Sequence, residues 1–152
     1  MDSDLPFVIA VEQAANITPW SEIAFREALN KDHFYVMLDA TESVIGYLIG
    51  MIVADEASLL HIAVANDRQK QGYGGQLLQF WLGIVDQNDD VASCWLEVRA
   101  SNQLAQRLYE RSGFRLHSRR KAYYRLPQSK VMASSGQIKE DALIYWRTDW
   151  KE

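Results

Sequence analysis

The hydrophobic positions of the chain change period along its length, and each change marks an element. Leu5, Val8 and Ile9 recur at helical spacing behind Asp4, with Pro6 in the first turn, which predicts a helix over 5–15 with Asp4 as N-cap. Pro19-Trp20-Ser21-Glu22 opens a second helix running to about Leu29, with Ser21 as N-cap and Ile23 and Leu29 on its inner side. The period then falls to two. Phe34 to Leu38, Val44 to Val53 and Ser58 to Val64 read as strands, the first two joined by the polar turn Ala40-Thr41-Glu42-Ser43. Leu77, Leu78, Trp81, Leu82 and Val85 restore helical spacing over 75–85, and a strand over 93–98 follows. Leu104, Ala105 and Leu108 predict an amphipathic helix over 102–112, stopped by Gly113 in the C-cap position. Two more strands, 114–124 and 142–150, flank a Ser- and Gly-rich loop at 127–137. The result is one α/β domain over residues 4–150, with a mixed, mostly antiparallel central sheet and helices on both faces.

Composition narrows the class. The chain has 152 residues, 48% hydrophobic and 24% charged, an ordinary globular balance that excludes a disordered or collagen-like chain. No apolar run nears the roughly 18 residues that a membrane span needs, and Met1-Asp2-Ser3-Asp4 lacks the basic flank of a signal peptide, so a cytoplasmic protein without membrane attachment is expected. The single cysteine, Cys94, sits beside Trp95 and Leu96 and reads as a buried, inert thiol. His33, His61 and His117 have no ligand-like spacing, so no metal is expected. The five tryptophans, Trp20, Trp81, Trp95, Trp146 and Trp150, read as core or sheet-packing residues, with Trp150 the one placed to be exposed. Net charge is −4, with 15 acids against 5 bases up to residue 106, then seven bases against Glu110 alone from 107 to 125. Stable nucleic-acid binding is not expected, and the basic stretch reads as the wet face of a strand.

The densest chemical signal is a strand, His61-Ile62-Ala63-Val64, running through Ala65 to Arg68 into Gln69-Lys70-Gln71-Gly72-Tyr73-Gly74-Gly75 at the mouth of a helix. Glycines let a ligand approach the backbone, and the helix N-terminus adds partial positive charge, which together make an anion seat suited to a pyrophosphate. The Gly-x-x-x-x-Gly-Lys phosphate loop is absent, and Leu77 stands where a dinucleotide fingerprint needs its third glycine.

Three segments together, Gln-x-x-Gly-x-Gly at 69–74, Leu96-Glu97-Val98-Arg99-Ala100-Ser101-Asn102, and Leu108-Tyr109-Glu110-Arg111-Ser112-Gly113-Phe114, resemble the GNAT superfamily of acetyl-CoA-dependent N-acetyltransferases. Val11-Glu12-Gln13, Pro19-Trp20-Ser21-Glu22, Asp55-Glu56-Ala57 and Glu140-Asp141-Ala142 place the resemblance nearest to the enzymes that acetylate the N-terminal alanine of small-subunit ribosomal protein eighteen. The family's first strand has no counterpart before Asp4, the segment Ala65-Asn66-Asp67-Arg68 replaces its usual Asp-Pro-like entry to the loop, and residues 126–138 are longer than its pattern.

The resemblance implies acetyl-CoA as co-substrate and a protein N-terminal amine as acceptor, with direct transfer. It implies that Ile62, Ala63 and Val64 hold the pantetheine arm through their backbone, that Lys70, Gln71, Gly72, Tyr73, Gly74 and Gly75 hold the pyrophosphate, and that the strand ending at Val64 splays from the one holding Glu97. Glu97 lies in an otherwise apolar strand, where burial would raise its pKa and make it a usable base; pairing with Arg99 on the same face is the structural alternative. Tyr109 shares a helical face with Asn102 and would protonate the departing thiolate, or else simply pack. Asn102 is either an N-cap or a ligand to the pantetheine arm; the resemblance implies the second, with Ser101 as cap. His61 is either a satisfied structural histidine or a proton shuttle. Acceptors such as a lysine or a small amine, and a non-catalytic acyl-CoA-binding module, remain the alternatives. The early excess of acids, Asp55 and Glu56 included, suggests an acceptor that is basic after its first residue.

Overall fold

A computed structural model describes residues 2–16, 19–125 and 139–148. Helix α1 (Leu5–Ala15) and helix α2 (Glu22–Lys31) lead into the meander β1 (His33–Leu38), β2 (Val44–Val53) and β3 (Glu56–Val64). Helix α3 (Tyr73–Gln87), strand β4 (Ser93–Arg99), helix α4 (Gln103–Arg111) and strands β5 (Arg115–Arg125) and β6 (Lys139–Arg147) complete the order expected from the pattern. No strand precedes α1 among the described residues. The loop 126–138 and Trp150 lie outside the described residues.

The six strands form one sheet in the order β1-β2-β3-β4-β6-β5, in which only β3 and β4 run parallel. Alternation along β2 divides the core. Leu48 faces α3 with Leu77, Leu78 and Trp81, while Tyr47 and Ile49 face α1 and α2 with Leu5, Val8, Phe25 and Ala28. The second cluster takes no buried residue from β4, β5 or β6, so α1 and α2 leave that part of their face of the sheet uncovered.

Local chemistry sets most boundaries. Ser21 caps α2 by accepting from the Ala24 N–H at 3.2 Å, whereas Asp4 precedes α1 in a helical conformation and makes no side-chain cap. Gly113 takes φ 93°, the left-handed turn that ends α4. Two side chains face differently from their expected orientation. Ile23 is 71% exposed while Phe25 and Ala28 carry the inner face of α2, and Leu104 is 63% exposed while Tyr109 is buried. In short helices a shift of one residue rotates the face by about 100°, and the neighbouring strands decide which rotation is buried.

Cys94 is buried and unpaired, and burial pushes its thiol up to about 12, which agrees with an inert role. Gly50 lies under the Trp81 indole so closely that an added Cβ would stand 2.5 Å from the ring. Gly50→Ala is therefore expected to destabilise the protein by about 1–3 kcal/mol through overpacking. A thermal melt matching that of the wild type would disprove the contact.

Candidate active site

The site begins where two parallel strands part. Strands β3 and β4 pair from Glu56 to Leu59 against Ser93 to Leu96; beyond that, Leu60 to Val64 and Glu97 to Arg99 have no strand between them among the described residues. A bulge marks the start of the divergence, because Ile49 faces His61 and Gly50 faces Leu59, leaving Leu60 as the extra residue. Among the described residues, the backbone groups of Ile62, Ala63 and Val64 that point away from β2 therefore lack a strand partner, as expected for the splay.

A cavity of about 210 Å³ occupies the gap, lined by Glu97 of β4, His61 of β3, Tyr109 and Asn102 of α4, and Trp20 ahead of α2. Tyr109 is 5% exposed, with its ring against Phe114 and Tyr145. Asn102 is the N-cap of α4, its Oδ1 accepting from the Ala105 N–H at 3.1 Å. Asn102 rather than Ser101 thus makes the cap, while its amide nitrogen keeps two donors beside the cavity.

Glu97 departs from expectation in two respects. It is exposed rather than buried, its side chain lying on the part of the sheet that α1 and α2 leave uncovered. Its partner is Arg120 of β5 at 3.4 Å, not Arg99, which pairs with Glu140 at 2.9 Å. Burial acts to raise the Glu140 pKa, but Ser101 and Arg99 outweigh it and hold the carboxyl below its ordinary value. Arg119, on the opposite face of β5 from Arg120, pairs with Asp141 at 2.6 Å, so both arginines are exposed and ion-paired. Asp55 and Glu56 are not among the residues that line the cavity beside Glu97.

The glycine loop sits at the far end of the gap. It follows a 3-10 turn, Asn66–Arg68, anchored by Asn66 Nδ2 donating to the Ala14 carbonyl at 2.8 Å and by Arg68 on Asp39 at 3.0 Å. Lys70 (φ 62°) and Gly72 (φ 89°) are both left-handed, and such turns collect successive N–H groups into an anion-binding concavity. Gly72, as N-cap, offers no side chain to the first turn of α3, so the N–H groups of Tyr73, Gly74 and Gly75 are left for a ligand. A Cβ at Gly74 would come within 4 Å of only Val64 and Leu108, which keeps open the passage between β3 and α4.

Sequence reading placed Glu12 in a matching segment and gave it no role. This carboxylate is fully buried, and its Oε2 accepts from the Trp20 N–H at 3.0 Å and bonds His61 Nε2 at 2.5 Å, while Trp20 stacks on the His61 ring with centroids 4.9 Å apart. Trp20 is thereby a wall of the cavity as well as a half-buried residue packed against the second core cluster. The Tyr47 hydroxyl faces the carboxylate without completing a hydrogen bond. Burial alone would raise the Glu12 pKa, but His61, the Trp20 N–H and Tyr47 outweigh it and hold the group ionised below its ordinary value. The available signal was a Glu one turn beyond Val8 on the buried stripe of α1.

A folded-state pKa below the unfolded one stabilises the protein above the unfolded value of 4.5, and the contribution is lost as pH falls through the folded value. Glu12→Gln should cost about 2 kcal/mol, or roughly 4–8 °C in Tm for a chain of this size. That gap between wild type and variant should be full at pH 7 and close below about pH 4.5. Equal melting at pH 7 would remove Glu12 from the support of this wall.

With fold and site in place, comparison with known proteins gives the class. The acetyltransferase (GNAT) family model matches residues 5–114, and the chain belongs to that family. It is 38% identical over 122 residues to the ribosomal protein bS18-alanine N-acetyltransferase of Escherichia coli K12, covering 80% of this chain and 82% of that one. The Salmonella typhimurium enzyme of the same name is 37% identical over 142 residues, 93% of this chain and 89% of its own length. The crystal structure of the ribosomal-protein-S18-alanine N-acetyltransferase from Escherichia coli superposes with a TM-score of 0.84 at 34% identity, covering 97% of this chain and 89% of that one.

Proposed function

We propose that the chain transfers the acetyl group of acetyl-CoA to a protein N-terminal amine, the acceptor being the N-terminal alanine of ribosomal protein bS18, as the names of its relatives state for them. The observation that carries the reading is that Glu97 and Tyr109, from different elements, line one cavity at the point where β3 and β4 part. The free edge at Ile62 to Val64 fits a pantetheine arm, and the N–H groups from Gly72 to Gly75 beside Lys70 fit a pyrophosphate. When bound, acetyl-CoA supplies an activated thioester.

The chain's own groups then divide the proton work. Glu97 Oε accepts a proton from the acceptor ammonium; its exposed pairing with Arg120 is the weak kind of ion pair, so the carboxylate can turn to the amine. Tyr109, lining the same cavity, donates its phenolic proton toward the leaving sulfur. Unpaired backbone N–H groups in the splay stabilise the developing oxyanion. Asn102 Nδ2 steadies the arm at the start of α4.

The test is mass spectrometry of purified small-subunit ribosomal proteins incubated with the protein and acetyl-CoA. A single acetyl group on the α-amine of one protein beginning with alanine is the expected result. Acetylation confined to lysine side chains would overturn the N-terminal reading.

A further inference from the structure

His61 lines the cavity beside Glu97, and acetyl transfer as derived above gives it no role. Its place on that side of β3 comes from the bulge. Ala57 and Leu59 belong to the core beneath α3, and Ile62 and Val64 pack against the same core, so the extra residue Leu60 moves the alternation from odd to even positions. Without the bulge His61 would follow Leu59 towards α3; with it, the imidazole packs against Trp20, Phe25 and Tyr47 on the other face. Glu97 is on that face too, because its neighbours Leu96 and Val98 belong to the core beneath α3.

The two ring nitrogens have different surroundings. Nε2 is held at 2.5 Å by Oε2 of the fully buried Glu12, and the Trp20 ring lies parallel to the imidazole, with planes 4° apart. A carboxylate only accepts, so the neutral ring carries its proton on Nε2. Nδ1 has no hydrogen-bond partner among the described residues. The buried side-chain atoms left without one are Glu12 Oε1, Tyr47 Oη and Trp81 Nε1; Nδ1 is not one of them and is therefore open to the cavity that His61 lines.

We propose that His61 is a second proton acceptor in acetyl transfer, positioned by Glu12. This rests on the proposed function, in which Glu97 takes the first proton from the acceptor ammonium. When the amine nitrogen bonds to the acetyl carbon it becomes cationic, and a second proton has to leave it while Glu97 still holds the first. His61 Nδ1 accepts that proton as the C–S bond breaks and the sulfur keeps the electron pair and takes the Tyr109 proton. Of the two protons that leave the nitrogen, one restores Tyr109 and the other passes to solvent. The titratable and charged groups around the imidazole are Glu12 of α1 and Tyr47 of β2 on its buried side, and Glu97, Arg99 and Tyr109 on the walls of the cavity. Arg99 is neutralised by Glu140 and Glu97 pairs with Arg120.

His61→Gln keeps a donor for Glu12 and removes the proton acceptor. On a peptide beginning with alanine it should lower kcat by about 10²-fold, the scale of losing a general base, with acetyl-CoA affinity unchanged. The wild-type kcat should fall towards acid between about pH 5 and 8, where an imidazole changes charge, and the variant should lack that limb. Nitrogen NMR of histidine-labelled wild type, with the His61 signal identified by its absence from His61→Gln, should show a protonated Nε2 and a bare Nδ1 at about pH 8. Glu12→Gln should lower kcat as well, because an amide donates to Nε2 and leaves the ring proton on Nδ1, a change the same spectrum reads. Turnover by folded His61→Gln within threefold of wild type, or a proton on Nδ1 in the wild type at about pH 8, would overturn the role of His61 alone. No turnover of the peptide by wild type would strike the proposed function and this role with it.

Discussion

Glu97→Gln is expected to lower turnover at pH 7 by about 10²-fold, the scale of losing a general base, and to regain roughly a factor of ten by pH 9. The recovery follows from the acceptor. An α-amine with a pKa near 7.7–8.0 is about one-tenth neutral at pH 7 and almost wholly neutral at pH 9, so by then it needs no base. A lysine amine near 10.4 is neutral in only about one molecule in 2,500 at pH 7, and its neutral fraction still climbs tenfold per pH unit at pH 9. A variant profile that levels off by pH 9 on a peptide with a free N-terminus thus supports both the base and the acceptor. The glutamine keeps the size of the side chain, and the only described ion pair it loses is the exposed one with Arg120, so the fold should hold. Turnover within threefold of wild type at pH 7 would remove Glu97 from the proton path, and a profile still rising steeply at pH 9 would point to a lysine acceptor.

Tyr109→Phe should lower kcat and kcat/KM together by about 10²-fold, with acetyl-CoA affinity nearly unchanged, because the proton it gives matters in the transition state and not in binding. The substitution is clean in packing terms. The ring keeps its contacts with Phe114 and Tyr145, and only the hydroxyl is removed. A folded protein with lost turnover is the expected pair of results. Full turnover would make Tyr109 one more packed ring of α4.

What the sequence by itself determined was local. Period-two and helical spacing located every element from α1 to β6, Ser21 and Gly113 marked helix ends through their own backbone chemistry, and the run from Gln69 to Gly75 announced an anion seat before any fold was known. Tertiary structure decided what depends on register and cover. The bulge at Leu60 and the early end of β3–β4 pairing opened the cavity, and the part of the sheet that α1 and α2 leave uncovered set Glu97 in solvent with Arg120, while Arg99 pairs with Glu140. Glu12 found His61 across 49 positions of sequence, and Trp95, His117 and Trp146 met across three strands. A hydrophobic period states which residues share a face, but whether that face is covered, and which distant side chain reaches it, follows only when strands take their register and helices choose the part of the sheet they bury.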